Sequence, residues 1–500
     1  MKMNNYLKSM ISGAIYNVIG KINALLFGFL FTVYLIRNYS LAEYGTYTLL
    51  LSSISLASIS TSAGLLNVVE RYAPEFYTKK DFNSLRKIFF LTVFGRLFLS
   101  ILFIVILFNN SSILNILKLN TLQDFKIEFV IILITALQIQ LIGDTFLVSL
   151  LQQKFYNLSY SAYYFLEFLS IYFSVKYNTG LRGLLLVLAA CNTFLLLLLL
   201  IKSKKILFAN SRVNNTHLPF KRILKYCVST FFVIISYSLV DIWIDNFVIN
   251  YYIGKEAVAQ YGLANVIANN ITSISPALLI LPILTSVSVS IFTKTSSLNQ
   301  LKFMYKFYNK IITFFSLPMF VGFILLSDKI VPLFFGEKYS PTIWLINLVV
   351  IFSFIRMYTH PLKMIIKILE KVHRLIFGII LSVYNLFMDI ILVKAYGVHG
   401  VAIATGTTII LSYALMKIIV SSEIKCKFPL RSTIKTIIST IVMSIFIMSF
   451  KSYSKNVIYI AAIILISAVI YFAILATLKP FNNRERAILH QSLGKHIKMF

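Results

Sequence analysis

Ala42-Glu43-Tyr44-Gly45 opens one long apolar stretch, and Ala259-Gln260-Tyr261-Gly262 opens another 217 residues later. The same offset links Gly180-Leu181-Arg182-Gly183 to Gly397-Val398-His399-Gly400, and Gln153-Lys154 to Glu370-Lys371. Each match alone is weak, but three at one constant spacing point to an internal duplication. The glycines stand at the mouths of the stretches, where a chain reversal needs positive φ or close backbone approach.

Working outward from these marks, the chain divides into apolar stretches of the length a bilayer requires, about 20 residues each. Their limits are 11–36, 44–68, 88–108, 127–151, 155–175, 181–201, 223–250, 257–287, 307–327, 341–360, 373–396, 398–420, 433–450 and 456–478. Composition agrees: charged residues make up 13% of the chain, hydrophobic ones 58%, and mean hydropathy is +0.83. A soluble domain carries roughly a quarter charged residues, so lipid is the expected solvent for most of this surface.

The formal charge of +30 does not indicate nucleic acid, because the basic residues lie between apolar stretches. With the N-terminus inside, 34 of the 47 Lys and Arg fall in cytoplasmic loops and 11 in external ones, the bias expected of membrane topology. Joining any one pair of stretches would flip every later loop and destroy the bias. The expected fold is therefore an all-α polytopic membrane protein of about fourteen helices, with both ends cytoplasmic. Two parallel six-helix repeats occupy 1–205 and 206–426, and 427–500 adds two further helices and a basic tail. Even-numbered repeats enter the membrane in the same sense, which predicts two lobes about an axis normal to the membrane with a substrate path between them.

No GxxxxGK[ST] loop, HExxH motif or Cys/His cluster occurs, and the longest loops run only about 20 residues, so neither a catalytic domain nor a metal or organic cofactor is expected. Cys191, Cys227 and Cys426 read as apolar fillers. What remains is a sparse set of ionisable residues inside apolar stretches, which mark functional sites because each costs about 3 kcal/mol against lipid. Lys21 falls near mid-depth, beyond snorkelling reach, and is a candidate for a substrate cavity together with Arg96 and Asp241. Under the repeat, Asp241 lies about one turn from the position equivalent to Lys21. Arg96 is close enough to the inner face for snorkelling to compete. Glu167, Asp389 and Asp144 are candidates for H+ or Na+ coupling, with a hydrogen-bonded packing carboxyl as the competing reading. Asp245 lies near the outer end and reads as solvated. Glu70 and Arg71, with Glu75 nearby, sit where the second stretch leaves the membrane and are gate candidates. So are Pro276 and Pro282, which interrupt the eighth stretch; Pro318 interrupts the ninth.

The runs Tyr39-Ser40-Leu41-Ala42-Glu43-Tyr44-Gly45-Thr46-Tyr47 and Glu70-Arg71-Tyr72-Ala73-Pro74-Glu75 resemble the polysaccharide biosynthesis transporter family. This is the Wzx-type branch of the multidrug/oligosaccharidyl-lipid/polysaccharide exporter superfamily. The resemblance covers the 6 + 6 + 2 helix plan. It implies two lobes in a V that alternate between inward- and outward-open states. It also implies movement of undecaprenyl-pyrophosphate-linked oligosaccharide repeat units, of O-antigen, lipopolysaccharide or capsule type, across the bacterial inner membrane. The implied partners are that lipid-linked substrate, membrane lipids, a glycan polymerase and chain-length machinery. Lys21 and Arg96 match the cationic cavity of such transporters, while five intramembrane acids depart from it. A cation-coupled multidrug extruder, a lipid II flippase and a membrane-embedded glycan polymerase are the competing readings.

Overall fold

The computed structural model describes residues 2–110, 114–115, 118–119, 121–208, 220–238, 242–277, 298–369, 377–425, 427–453, 456–482 and 485–486. Contacts divide the chain into two compact units, Met1–Ala259 and Gln260–Phe500. The described residues are helical and contain no strand, because within hydrocarbon a helix alone satisfies every backbone group within its own segment. Nine helical segments among them are long and apolar enough to cross a membrane, and ten if one bent pair counts as a span. The chain is a multi-pass membrane protein.

The first unit begins with α1 (Lys2–Asn38) and α2 (Leu41–Ser62). Ser40 caps α2: Glu43 N donates to Ser40 Oγ at 3.2 Å, and Ser40 N donates back to Glu43 Oε2 at 2.8 Å. That reciprocal cap fixes the helix start at the motif read from the sequence. Ala63 and Gly64, at φ +41° and +81°, then bend the chain by 59° into α3 (Leu65–Thr78). A Cβ at Gly64 would strike the Cys227 carbonyl, so glycine meets both a left-handed backbone and a close approach. Next come α4 (Phe82–Asn109) and α5 (Lys126–Ile139), which passes into a π-helical turn at Gln140–Leu147. The Tyr-rich α6 (Gln153–Lys176) packs along α1, and α7 (Gly180–Leu207) packs on α5 and α6.

The unit closes with α8 (Phe220–Ser238) and α9 (Ile242–Tyr252), followed by the start of α10 (Lys255–Ile274). A seam joins this segment to the second stretch at several levels. Tyr72 of α3 meets Tyr226 edge-to-face at 5.7 Å, and Cys227 Sγ donates to the Ala63 carbonyl at 3.0 Å. Asn246 donates to buried Ser52 at 2.8 Å, and Gly45 is pressed against the Lys255 carbonyl.

In the second unit α11 (Leu298–Phe335) is one unbroken helix that runs through both Pro318 and Pro332. The expected interruption at Pro318 is therefore absent; a proline removes one donor, and the surrounding turns carry the helix across. Pro276 does follow a break, since α10 ends at Ile274 and helix resumes at Pro276 and Ala277. Pro282 lies outside the described residues. A 3-10 turn (Glu337–Thr342) leads to α12 (Ile343–Met357), then α13 (Thr359–Ile368) and α14 (Phe377–Glu423). Gly397, at φ +59°, divides α14 in two at the reversal its motif predicts. The last helices, α15 (Leu430–Phe450) and α16 (Val457–Leu478), dock on α11. Tyr471 donates to the Phe314 carbonyl at 2.6 Å, and Lys310 pairs with Glu485 at 2.8 Å where both are nearly buried.

Candidate functional site

Arg96 lies on α4 with no exposed surface. Its Nη1 donates to the Leu137 carbonyl at 2.7 Å and its Nη2 to Gln140 Oε1 at 2.6 Å. Ser58 of α2 donates to the same Gln140 oxygen at 2.7 Å. Snorkelling is thus replaced by burial, because a carbonyl and a side-chain amide inside the unit take up the guanidinium. Those acceptors are neutral and do not themselves balance its positive charge. In this state Arg96 orders the helices around it and offers no surface to a ligand.

Asp144 lies in the same π-helical turn as Gln140. Its Oδ1 accepts from Tyr156 at 2.8 Å and from Tyr160 at 2.6 Å, one turn apart on α6 with rings 4.5 Å apart. The Asp144 residue is itself exposed, and its charge acts on Arg96. Two hydrogen-bonded clusters, Arg96 with Gln140 and Ser58, and Asp144 with Tyr156 and Tyr160, therefore meet at one π-helical turn and interact through charge. Such π-turns recur at functional sites, where the extra residue re-aims side chains. Glu167 is half-buried further along α6, and its charge reaches Tyr47, Tyr163 and Tyr164.

Lys21 is exposed and forms no ion pair among the described residues. Its neighbour Gly20 is buried against α6, where a Cβ would strike the Asn157 side chain, so α1 packs through the glycine and turns the lysine outward. Lys21 does not join the Arg96 network. Asp241 lies outside the described residues. Asp245 is 1% exposed, so the solvated position expected for it is corrected: α9 turns it into the unit, beside Asn246 on the seam.

In the second unit Asp389 is fully buried on α14. Asn385 Nδ2 donates to its Oδ2 at 2.8 Å, and Thr408 Oγ1 donates to Asn385 Oδ1 at 2.8 Å. This relay joins the two halves of α14 across the Gly397 reversal. Among the described residues no three His, Cys, Asp or Glu side chains gather as a metal site.

The gate candidates resolve around Glu75. Lys79 approaches it at 2.7 Å, Arg71 at 3.7 Å and Arg222 of α8 at 3.9 Å. Arg222 also stands over the Tyr72 ring at 5.4 Å. Glu70 is exposed, and its charge reaches Tyr226. The hub is thus Glu75, tying α3 to α8 at one end of the seam. Sequence reading missed Gln140, Ser58, Tyr156 and Tyr160 as partners. The available signal was a glutamine in an apolar run ahead of two tyrosines one turn apart.

Buried polar networks inside long apolar helices, with a 59° bend between α2 and α3, mark a multi-pass membrane protein. Residues 35–344 match the polysaccharide biosynthesis protein family, and the chain belongs to it. Over 119 residues it is 30% identical to the teichuronic acid biosynthesis protein TuaB of Bacillus subtilis (strain 168), a match spanning 24% of each protein. Its fold is similar to that of the lipid II flippase MurJ in an inward closed conformation, with TM-score 0.72, 16% identity, and coverage of 97% of this chain and 99% of that one. It is also similar to an inward-facing multidrug resistance MATE transporter of the MOP superfamily, with TM-score 0.62, 17% identity, and coverage of 82% and 98%.

Proposed function

We propose that this protein is a flippase that carries an undecaprenyl-pyrophosphate-linked oligosaccharide from the cytoplasmic to the outer leaflet of a bacterial inner membrane. Both termini are cytoplasmic, and no covalent catalysis is involved. The observation that carries the reading is family membership joined to a flippase-like fold over 97% of the chain. Coverage falls to 82% against the MATE transporter, as expected if α15 and α16 lack a counterpart there, which favours the flippase over the extruder.

The physical task fits this architecture. A pyrophosphate and sugars cannot cross hydrocarbon unshielded, because each unpaired polar group costs several kcal/mol. The lobes 1–205 and 206–426 move against each other in this reading, with α2–α3 bending at Gly64 and the Glu75 hub closing the cytoplasmic end. Exposed Lys21 supplies the cation for the pyrophosphate or an acidic sugar. Asp389, which accepts from Asn385, is the first choice for H+ or Na+ coupling, ahead of Asp144 and Glu167, because it is fully buried while Asp144 is exposed and Glu167 half-buried.

The test is surface polysaccharide in a strain lacking the gene, with and without its restoration. Loss of long glycan together with lipid-linked units held on the cytoplasmic face is expected. Normal glycan with altered drug tolerance would move the protein to the extruder branch. Lys21→Ala should abolish surface glycan while the protein remains in the membrane, and normal glycan from that strain would remove Lys21 from the cavity. Asp389→Asn should remove any dependence of transport on the coupling ion; an unchanged ion dependence would exclude Asp389.

A further inference from the structure

The two motifs that mark the first repeat meet in space. Ala42, Glu43 and Thr46 at the start of α2 face Gly180, Leu181 and Arg182 at the start of α7, and Asp124 and Phe125 complete the walls of an open pocket of about 420 Å3. That lies within the range of about 300–1,000 Å3 typical of small-molecule sites. The pocket lies wholly in the first unit, on the face that the basic-loop bias places outside. None of the networks described above uses it.

Its polar groups are held in place yet carry unused hydrogen-bonding capacity. Glu43 spends only Oε2 on the Ser40 cap. Arg182 spends only Nε, donating to Glu128 Oε1 at 2.8 Å, and Glu128 is 2% exposed. That bond fixes the guanidinium plane and leaves both terminal amino groups for other acceptors. Asp124 is exposed and makes no hydrogen bond with a described residue. Phe125 adds a half-buried ring to the wall. Planar carboxylates and a planar guanidinium suit adjacent hydroxyl groups, and an aromatic ring suits the C–H face of a pyranose.

Charge narrows the ligand. Two carboxylates line the pocket against one guanidinium already bonded to a third carboxylate, which disfavours phosphate and acidic sugars. Lys255 lies within electrostatic reach of Asp124 but is not part of the wall. Metal ions are disfavoured because Glu43 and Asp124 gain no third ligand among the described residues.

We infer that this pocket is an outer-face subsite for one or two neutral, hydroxyl-rich sugar units of the head group, engaged as the glycan leaves the protein. The inference rests on the transport reading and its orientation, and it gives that transporter a second contact with its cargo apart from Lys21. A weak subsite of this kind draws the head group outward without holding it.

The probe is N,N′-diacetylchitobiose, added to the full-length protein in lipid nanodiscs and followed by saturation-transfer difference NMR. The native protein should transfer saturation to this neutral disaccharide and much less to a glucuronate-containing one. Asp124→Asn should weaken the affinity about tenfold, the size of one lost hydrogen bond to a charged group. Glu43→Gln keeps an oxygen for the Ser40 cap and provides a second reading of the same wall if the Asp124 variant proves unstable. No transfer to the neutral probe, equal transfer to the acidic one, or undiminished affinity in both variants would each overturn the proposal. Glycan in the deletion strain tests the transport reading alone, so the two can fail separately.

Discussion

The corner between α2 and α7 in the first repeat and its counterpart in the second carry the same glycine-bounded motifs and different chemistry. In the first, Arg182 reaches the buried Glu128 and the corner opens into the pocket beside Glu43. In the second, the equivalent positions are His399, Leu345 and Gln260. There His399 meets the Trp344 ring at 5.0 Å, and Leu345 is buried. Duplication kept the backbone reversals, which glycine dictates, and released the side chains. One copy holds a charged pair facing an open pocket, while the other sets the exposed Trp344 ring against His399 beside a buried aliphatic residue.

The largest effect is expected of Arg182→Ala, which strands Glu128. Losing one partner of a buried pair costs about 3–5 kcal/mol, and because Arg182 is 64% exposed, about 2 kcal/mol is expected here. Adding Glu128→Leu copies the second repeat and should restore most of the loss. Thermal unfolding in detergent reads both steps. A double variant no more stable than Arg182→Ala would mean that Glu128 is not the source of the cost.

The glycines sharpen the contrast by a smaller amount. A Cβ on Gly400 would strike the Leu392 carbonyl within a helix, whereas on Gly183 it would strike Cβ and Oγ1 of Thr179 in the short turn before α7, where the backbone can shift. Overpacking of this kind costs about 1–3 kcal/mol. Gly400→Ala should fall at the upper end and Gly183→Ala at the lower, with melting temperatures ordered accordingly. The reverse order would show that the loop at Thr179 is the stiffer of the two.

These motifs were legible because glycine, tyrosine and proline constrain the backbone directly. The reversals at Gly180 and Gly397 and the close approach at Gly45 therefore emerge from spacing alone, as does the all-helical class from hydropathy. The site was less legible. Arg96, Asp144 and Asp389 could be picked out as costly residues in apolar stretches, but their partners could not. Gln140 reaches Arg96 only because a π-helical turn carries it there, and no pattern of period 3.6 announces that turn. Asp245 misled because sequence gives depth along a helix but not which face the neighbouring helix covers. Pro318 misled because a proline's missing hydrogen bond does not say whether the helix stops.

The gentlest test lies at Ser40. In the first repeat this residue caps α2, whereas its counterpart Ala257 lies inside α10, which starts at Lys255. A helix that starts earlier needs no cap at that position, so the second copy dispenses with the hydroxyl. Ser40→Ala should therefore cost about 1 kcal/mol, the usual price of an N-cap, while Ala257→Ser should gain nothing. The loss should be local, because Ser40 is exposed and its side chain bonds only to Glu43. Hydrogen exchange at the Ala42 and Glu43 amides reads it, with protection falling there and holding further along α2. Ser40→Ala removes the hydroxyl bond to Glu43 Oε2 and keeps the bond from the backbone N–H of residue 40, so sugar binding in the pocket should persist even as the cap is lost. Binding that vanished with the cap would mean that the Glu43 carboxylate acts only when Ser40 holds it in place.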